Sequence, residues 1–157
     1  MTPEDRARLT ELLSGQRLLA LGVVVDGEPV VGLLPYALAP DHAALVVQAS
    51  RLARHSQGLK AGGRWSGVIH EPDSPDADPL QIARLVVEGE VVPLAGEDTA
   101  FDAAAKAFLA RFPAAAMTLS LPDFTLYRLE LDGGRLILGF GRALNLSKSS
   151  FKELEFL

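Results

Sequence analysis

Cysteine is absent from this chain of 157 residues, which excludes a disulfide framework, thiolate nucleophiles and sulfur-ligated metal sites. Histidine is scarce as well, with three residues, too few for an imidazole-built zinc centre beside any other role. Aromatic residues make up 6% of the chain against 48% hydrophobic, so the core must be built from Leu, Val and Ala. No apolar run approaches the roughly 20 residues needed to cross a bilayer. The amino terminus, Thr2-Pro3-Glu4-Asp5, is acidic where a signal peptide would be basic. These absences lead us to expect a cytoplasmic protein with no membrane segment and no metal site. A pI near 5.2 argues against nucleic-acid binding, which usually needs a basic face. The length fits a single domain over residues 1–157 with one core.

One further absence is local. From His42 to His70 the chain contains no Asp or Glu, although its formal net charge is −5. That stretch holds Arg51, Arg54, Lys60 and Arg64 and all three histidines, His42, His55 and His70. Within it, Ser50-Arg51-Leu52-Ala53-Arg54-His55-Ser56 follows the apolar run Ala43-Ala44-Leu45-Val46-Val47. Hydroxyls, cations and free backbone N–H groups are what a phosphate group requires. A solvated face with ordinary surface arginines has the same composition.

Hydrophobic periodicity predicts mainly β structure with a few helices. Thr2 caps a lead-in helix that ends by Gly15. Strands are predicted over 17–25 and 28–38, joined at Asp26-Gly27, the pair typical of a tight hairpin turn. Pro29 and Pro35 place the second strand at an edge or where pairing breaks. A third strand covers 43–49, a helix 51–61, a fourth strand 64–70 and a fifth 81–92. The stretch Glu71 to Pro79, rich in Pro and Asp, reads as a loop long enough to act as a flap. A second helix covers 99–112, and a hairpin with strands at 124–131 and 135–146 turns at Asp132-Gly133-Gly134. The tail from Ser147 reads as irregular or weakly helical. Neither glycine fingerprint of a nucleotide-binding α/β fold occurs in its required setting, so those folds are excluded.

Several short motifs recur in a familiar order: Gly27-Glu28-Pro29, Leu34-Pro35-Tyr36-Ala37, Ser50 to Ser56, Asp78-Pro79-Leu80 with Ala83-Arg84-Leu85 and Glu88-Gly89-Glu90, Asp123 to Leu129, and Gly139-Phe140-Gly141-Arg142-Ala143. Together they make the chain resemble the pyridoxamine 5′-phosphate oxidase-like FMN-binding split-barrel superfamily, and most of all its haem-utilisation branch. The resemblance implies a six-stranded antiparallel split β-barrel that forms a homodimer, with FMN in two clefts lined by both subunits. By position it implies that Leu34, Pro35, Tyr36 and Ser50 lie along the flavin and ribityl chain, and that Arg51, His55 and Ser56 approach the phosphate. Arg84, a charge within the apolar run Ile82-Ala83-Arg84-Leu85-Val86-Val87, demands a partner, either the phosphate or Glu88, and Gly141 and Arg142 would face the ring. Ser56 replaces an expected threonine and Gly58 an expected asparagine. Tyr36 is equally readable as a packing residue and Arg142 as an exposed arginine beside a bulge.

The function expected from this is FMN-dependent electron or hydride transfer on an unnamed small molecule, with no acid/base pair standing out among Tyr36, His55 and Arg142. Two alternatives on the same fold are a haem-handling protein with His70 or His42 as iron ligand, and a binding module without cofactor. A second cationic pocket, such as a phosphorylated substrate would need, is not recognisable in the sequence.

Overall fold

The computed structural model describes residues 1–154. Helix α1, Pro3–Gly15, starts at Thr2, whose hydroxyl accepts from the Asp5 N–H while the Asp5 carboxylate accepts from the Thr2 N–H. This reciprocal cap satisfies two backbone donors that the helix itself cannot. Strands β1, Leu18–Val25, and β2, Glu28–Leu38, then form the expected hairpin. Asp26 and Gly27 both take positive φ, 51° and 79°, the backbone of a tight hairpin turn.

Six antiparallel strands close a barrel. These are β1, β2, β3 (Ala44–Ser50), β4 (Arg64–His70), β5 (Arg84–Leu94) and β6 (Phe124–Glu130). The circuit runs β1-β2-β3-β6-β5-β4 and returns from β4 to β1. Closure gives every barrel strand a neighbour on both sides, and along residues 28–35 of β2, where β1 is the sole partner, the edge carries two prolines. Beyond the barrel, β7 (Gly133–Ile137) pairs with the first half of β5, and β8 (Ala143–Ser147) pairs with β7. The second half of β5 turns to β6 instead. That division of one strand between two partners is the split.

Burial explains the strand sequences. Along β1 the inward residues Leu19, Leu21, Val23 and Val25 are buried, and their neighbours are not. In β3 every residue from Ala44 to Ala49 is buried, because the barrel interior covers one face and helix α2, Thr99–Arg111, covers the other. Phe108 of α2 is fully enclosed against Ala37, Val46 and Leu126, a burial that contributes about 1.5–3 kcal/mol. The short helices α3, Ala115–Leu119, and α4, Lys148–Lys152, complete the described chain, and Phe151 of α4 plugs the core.

The structure corrects several expected elements. Residues 51–61 do not form an α-helix. Ser50 Oγ accepts from the Leu52 N–H, Leu52 is 84% exposed, and only Arg54–Gly58 makes a 3₁₀ turn. The stretch has no apolar stripe to bury, and burial of such a stripe is what sustains a helix in a protein. The fifth strand starts at Arg84 because a 3₁₀ turn over Pro79–Gln81, capped by Asp78, precedes it. The expected hairpin between 124–131 and 135–146 is absent. Here β6 pairs with β3 and β5, and the tight connection lies instead between β7 and β8, at Gly139 and Gly141 with φ of 122° and 80°. Pro29 and Pro35 lie in the part of β2 that has β1 as its sole neighbour, since β3 joins only from Tyr36.

Candidate cofactor site

The ten residues expected to bind cofactor separate into three places. Leu34 and Tyr36 are buried in the core. The Tyr36 hydroxyl donates to the carbonyls of Leu13, at 2.9 Å, and Leu12, at 3.3 Å, closing the last turn of α1. Burial pushes its phenol pKa up. Tyr36 is thus a strut between β2 and α1, and Pro35 stands beside it in register with Leu18.

The second group is the turn after β3. The Ser50 hydroxyl donates to the Asp123 carboxylate at 2.9 Å. That of Ser56 donates to the Ser50 carbonyl at 2.6 Å, so both hydroxyl protons are committed to protein acceptors. The His55 ring lies against Gly32 of β2, where an added Cβ would come within 2.6 Å of Nδ1. Its Nε2 is buried with no hydrogen-bond partner, and burial pushes the imidazole pKa down. What the turn turns outward is cationic: Arg51, which also donates to the Pro122 carbonyl, and Arg54. Neither has a carboxylate within ion-pair distance among the described residues. The turn packs on β1 and β2.

The third group lies on β5 and the β7–β8 connection. Arg84, Gly141 and Arg142 line one groove of about 420 Å³ together with Arg135, Leu80, Phe140 and their neighbours. Arg84 donates to the Ile82 carbonyl at 3.2 Å. Arg142 is held by Asp5 at 2.6 Å, with Glu4 at 3.8 Å. An added Cβ at Gly141 would meet nothing within 4 Å, so the backbone there borders open space. Arg84 does not pair with Glu88, the alternative the sequence left open.

Strand register joins this groove to a second one. Residues paired directly across antiparallel strands project to the same face, and His70 pairs with Arg84, Val68 with Val86, and Ala20 with both Val68 and Leu33. Leu18, Ala20, Leu33, Val68 and His70 line an apolar groove of about 370 Å³ with Arg17 at its side. The outer face of the sheet therefore passes from apolar to cationic within a few strands. His70 Nδ1 lies 2.6 Å from the Glu71 carbonyl. Donation by Nδ1–H leaves Nε2 as the electron-pair donor, the arrangement usual for metal-binding imidazoles. His42 is on a loop with φ of 55° and lines neither groove.

Arg17, Arg135 and Phe140 are the surface residues that sequence reasoning passed over. Arg135 alternates with Leu136 in a short strand and looks like ordinary surface until the pairing of β5 with β7 sets it opposite Val86, one outward position along from Arg84. Among the described residues no group of three metal-ligating side chains occurs, and no helix is long and apolar enough to cross a membrane.

No family model and no curated protein matches the sequence. Solved structures do match. The haem-binding protein from Mycobacterium smegmatis superposes with a TM-score of 0.82 at 24% identity, covering 97% of this chain and 61% of that one. This chain thus spans less than two thirds of that relative. A second solved structure shares 30% identity over 96% of this chain and 97% of its own, with a TM-score of 0.78. The FAD and haem binding protein from Mycobacterium smegmatis gives a TM-score of 0.65 at 18% identity, covering 90% of this chain and 82% of that one. A closed six-stranded antiparallel barrel whose fifth strand is shared with an outer hairpin, matched over nearly its whole length by these structures, gives the chain the split β-barrel fold that the sequence resemblance implied.

Proposed function

We propose that the protein binds FMN in a cleft completed by a second copy of the chain, and uses it for electron or hydride transfer. One observation carries this reading: the cationic cofactor candidates form two separate groups in one protomer. Arg51 and Arg54 stand on a turn packed on β1 and β2, while Arg84, Gly141 and Arg142 belong to the β5–β7 groove. A flavin lying between two copies would meet one group from each.

Each group fits one end of the cofactor. Arg51 and Arg54 would hold the phosphate, with Ser50, His55 and Ser56 shaping the turn from within. Gly141 offers open backbone, and Arg142 a guanidinium for the electron-rich edge of the ring. When bound, the flavin supplies the redox chemistry, and the protein supplies position and charge. The relatives described as binding FAD or haem support a flat redox cofactor on this fold.

The test is an absorption spectrum of purified protein before and after adding excess FMN and removing the unbound fraction. Flavin bands that persist support the reading. The double variant Arg51→Ala with Arg54→Ala should weaken FMN about tenfold or more and riboflavin little, since only FMN carries the phosphate. Equal losses would sink the phosphate assignment.

The apolar groove favours a second reading, haem. Leu18, Ala20, Leu33 and Val68 suit a porphyrin face, and His70 offers Nε2. A Soret band that survives His70→Ala would remove His70 as its ligand.

A further inference from the structure

We propose that the groove walled by Arg84, Arg135 and Arg142 binds the anionic group of the reactant, a small planar organic anion bearing a carboxylate or a phosphate. Three guanidinium groups from different elements converge there, from β5, from β7 and from the loop before β8, and no Asp or Glu lines the groove. The chain has more acidic than basic side chains, 20 against 15. Arg6, Arg8, Arg64 and Arg128 all have a carboxylate partner, and within the groove Arg142 has Asp5. Arg84 and Arg135 have none among the described residues. Arg84 is half-buried and bonded only to the Ile82 carbonyl, and Arg135 reaches only the Asn145 amide oxygen at 3.4 Å. A partly desolvated guanidinium without a counter-charge is unfavourable, and an incoming anion supplies that charge through two-pronged hydrogen bonds.

The rim of the groove indicates a flat ligand. Phe140 is 81% exposed and Leu80 59%, and the loop that carries Phe140 is held in place. Its N–H donates to Gln81 Oε1 at 3.3 Å. The same oxygen lies 2.7 Å from where a Cβ on Gly139 would stand, at a φ of 122°, so glycine is required for that approach. A ring displayed at the mouth of a cationic groove provides a stacking face for an aromatic or heteroaromatic anion. One cation suffices for the edge of a flavin ring, which leaves two arginines for the reactant. Its position next to the ring rests on the FMN reading; the affinity of the groove for an anion does not.

The experiment is titration of the whole protein, with and without FMN, using phenyl phosphate, benzoate and inorganic phosphate, followed by calorimetry or amide NMR shifts. Saturable binding of phenyl phosphate or benzoate is expected, whichever is tighter naming the anionic group. Arg135→Gln and Arg84→Gln should each weaken it about tenfold. Phe140→Ala should weaken the aromatic anions and spare inorganic phosphate. Arg135 is exposed, so its variant tests the site even if Arg84→Gln fails to fold. Absence of saturable binding by any of the three anions, or binding unchanged in Arg135→Gln, overturns the proposal. Inorganic phosphate binding as tightly as phenyl phosphate overturns the planar requirement. Anion binding in a protein that never retains FMN would sink the flavin reading alone.

Discussion

Asp5 binds Arg142 across 137 positions of sequence, Oδ1 to Nη2 at 2.6 Å, and only 3% of Asp5 remains exposed. The same carboxylate accepts from the backbone and hydroxyl of Thr2. One side chain therefore both starts α1 and tethers the loop that closes the cationic groove. The Thr2 bonds, and after them Arg142, hold the Asp5 pKa below the usual carboxylate value. A carboxyl with a lowered folded pKa contributes stability that is present above its unfolded pKa, near 3.9, and is lost as pH falls through the folded value. Asp5→Asn should lower the thermal midpoint at neutral pH and narrow its difference from the parent protein in acid. A midpoint gap that stays constant down to low pH would contradict the assignment.

Tyr36 separates a structural role from a cofactor role. Its hydroxyl ends on α1 carbonyls inside the core, so Tyr36→Phe should cost about 1 kcal/mol in denaturant unfolding. Its FMN affinity should match that of the parent. A tenfold loss of FMN with unchanged stability would return Tyr36 to the site.

Much of the barrel was legible because its signals are local. Asp26-Gly27 names a turn by its backbone needs alone, Thr2 with Pro3 names a helix start, and the apolar, valine-rich run that ends at Val25 names a strand. The β4–β1 closure and the division of β5 between β6 and β7 depend on pairs distant in sequence, and no local pattern encodes them. The candidate site shows the same contrast. Arg84 stood out as a charge in an apolar strand, whereas Arg135 gained meaning only from register. Tyr36 looked available because nothing near it in sequence reveals that α1 folds back over it. Ser50 and Ser56 were correctly grouped as neighbours, but their protons go to Asp123 and to the Ser50 carbonyl.

His55 gives the fold a sensitivity to mild acid. Burial lowers its folded pKa below the ordinary imidazole value of 6.5, and its Nε2 has no acceptor to stabilise a proton. In the window below 6.5 the unfolded chain binds a proton that the folded chain resists, so stability is intact above that pH and declines as pH falls toward the folded value. Thermal midpoints measured from pH 7.5 down to about 5 should fall in the parent protein and fall less in His55→Gln. Parallel curves would show that the imidazole is solvated and not held against Gly32.

The outer face of β1 and β2 supplies the last prediction. Val31 is 74% exposed, Leu33 65%, Val24 59% and Leu18 51%, and hairpin register sets them on one face. Scattered apolar residues need no explanation, but a contiguous row of this kind marks an interaction surface. A second copy meeting it would cover about 800 Å² on each partner, the size of a standard specific interface. It would also bring two sets of separated cationic groups into reach of each other. Leu33→Lys leaves the core untouched, so its effect on protomer stability should stay within about 0.5 kcal/mol. Light scattering should find the parent dimeric and the variant monomeric, and the monomer should release FMN on gel filtration. A Leu33→Lys protein that stays dimeric and keeps its flavin would rule out this face as the one that completes the cleft.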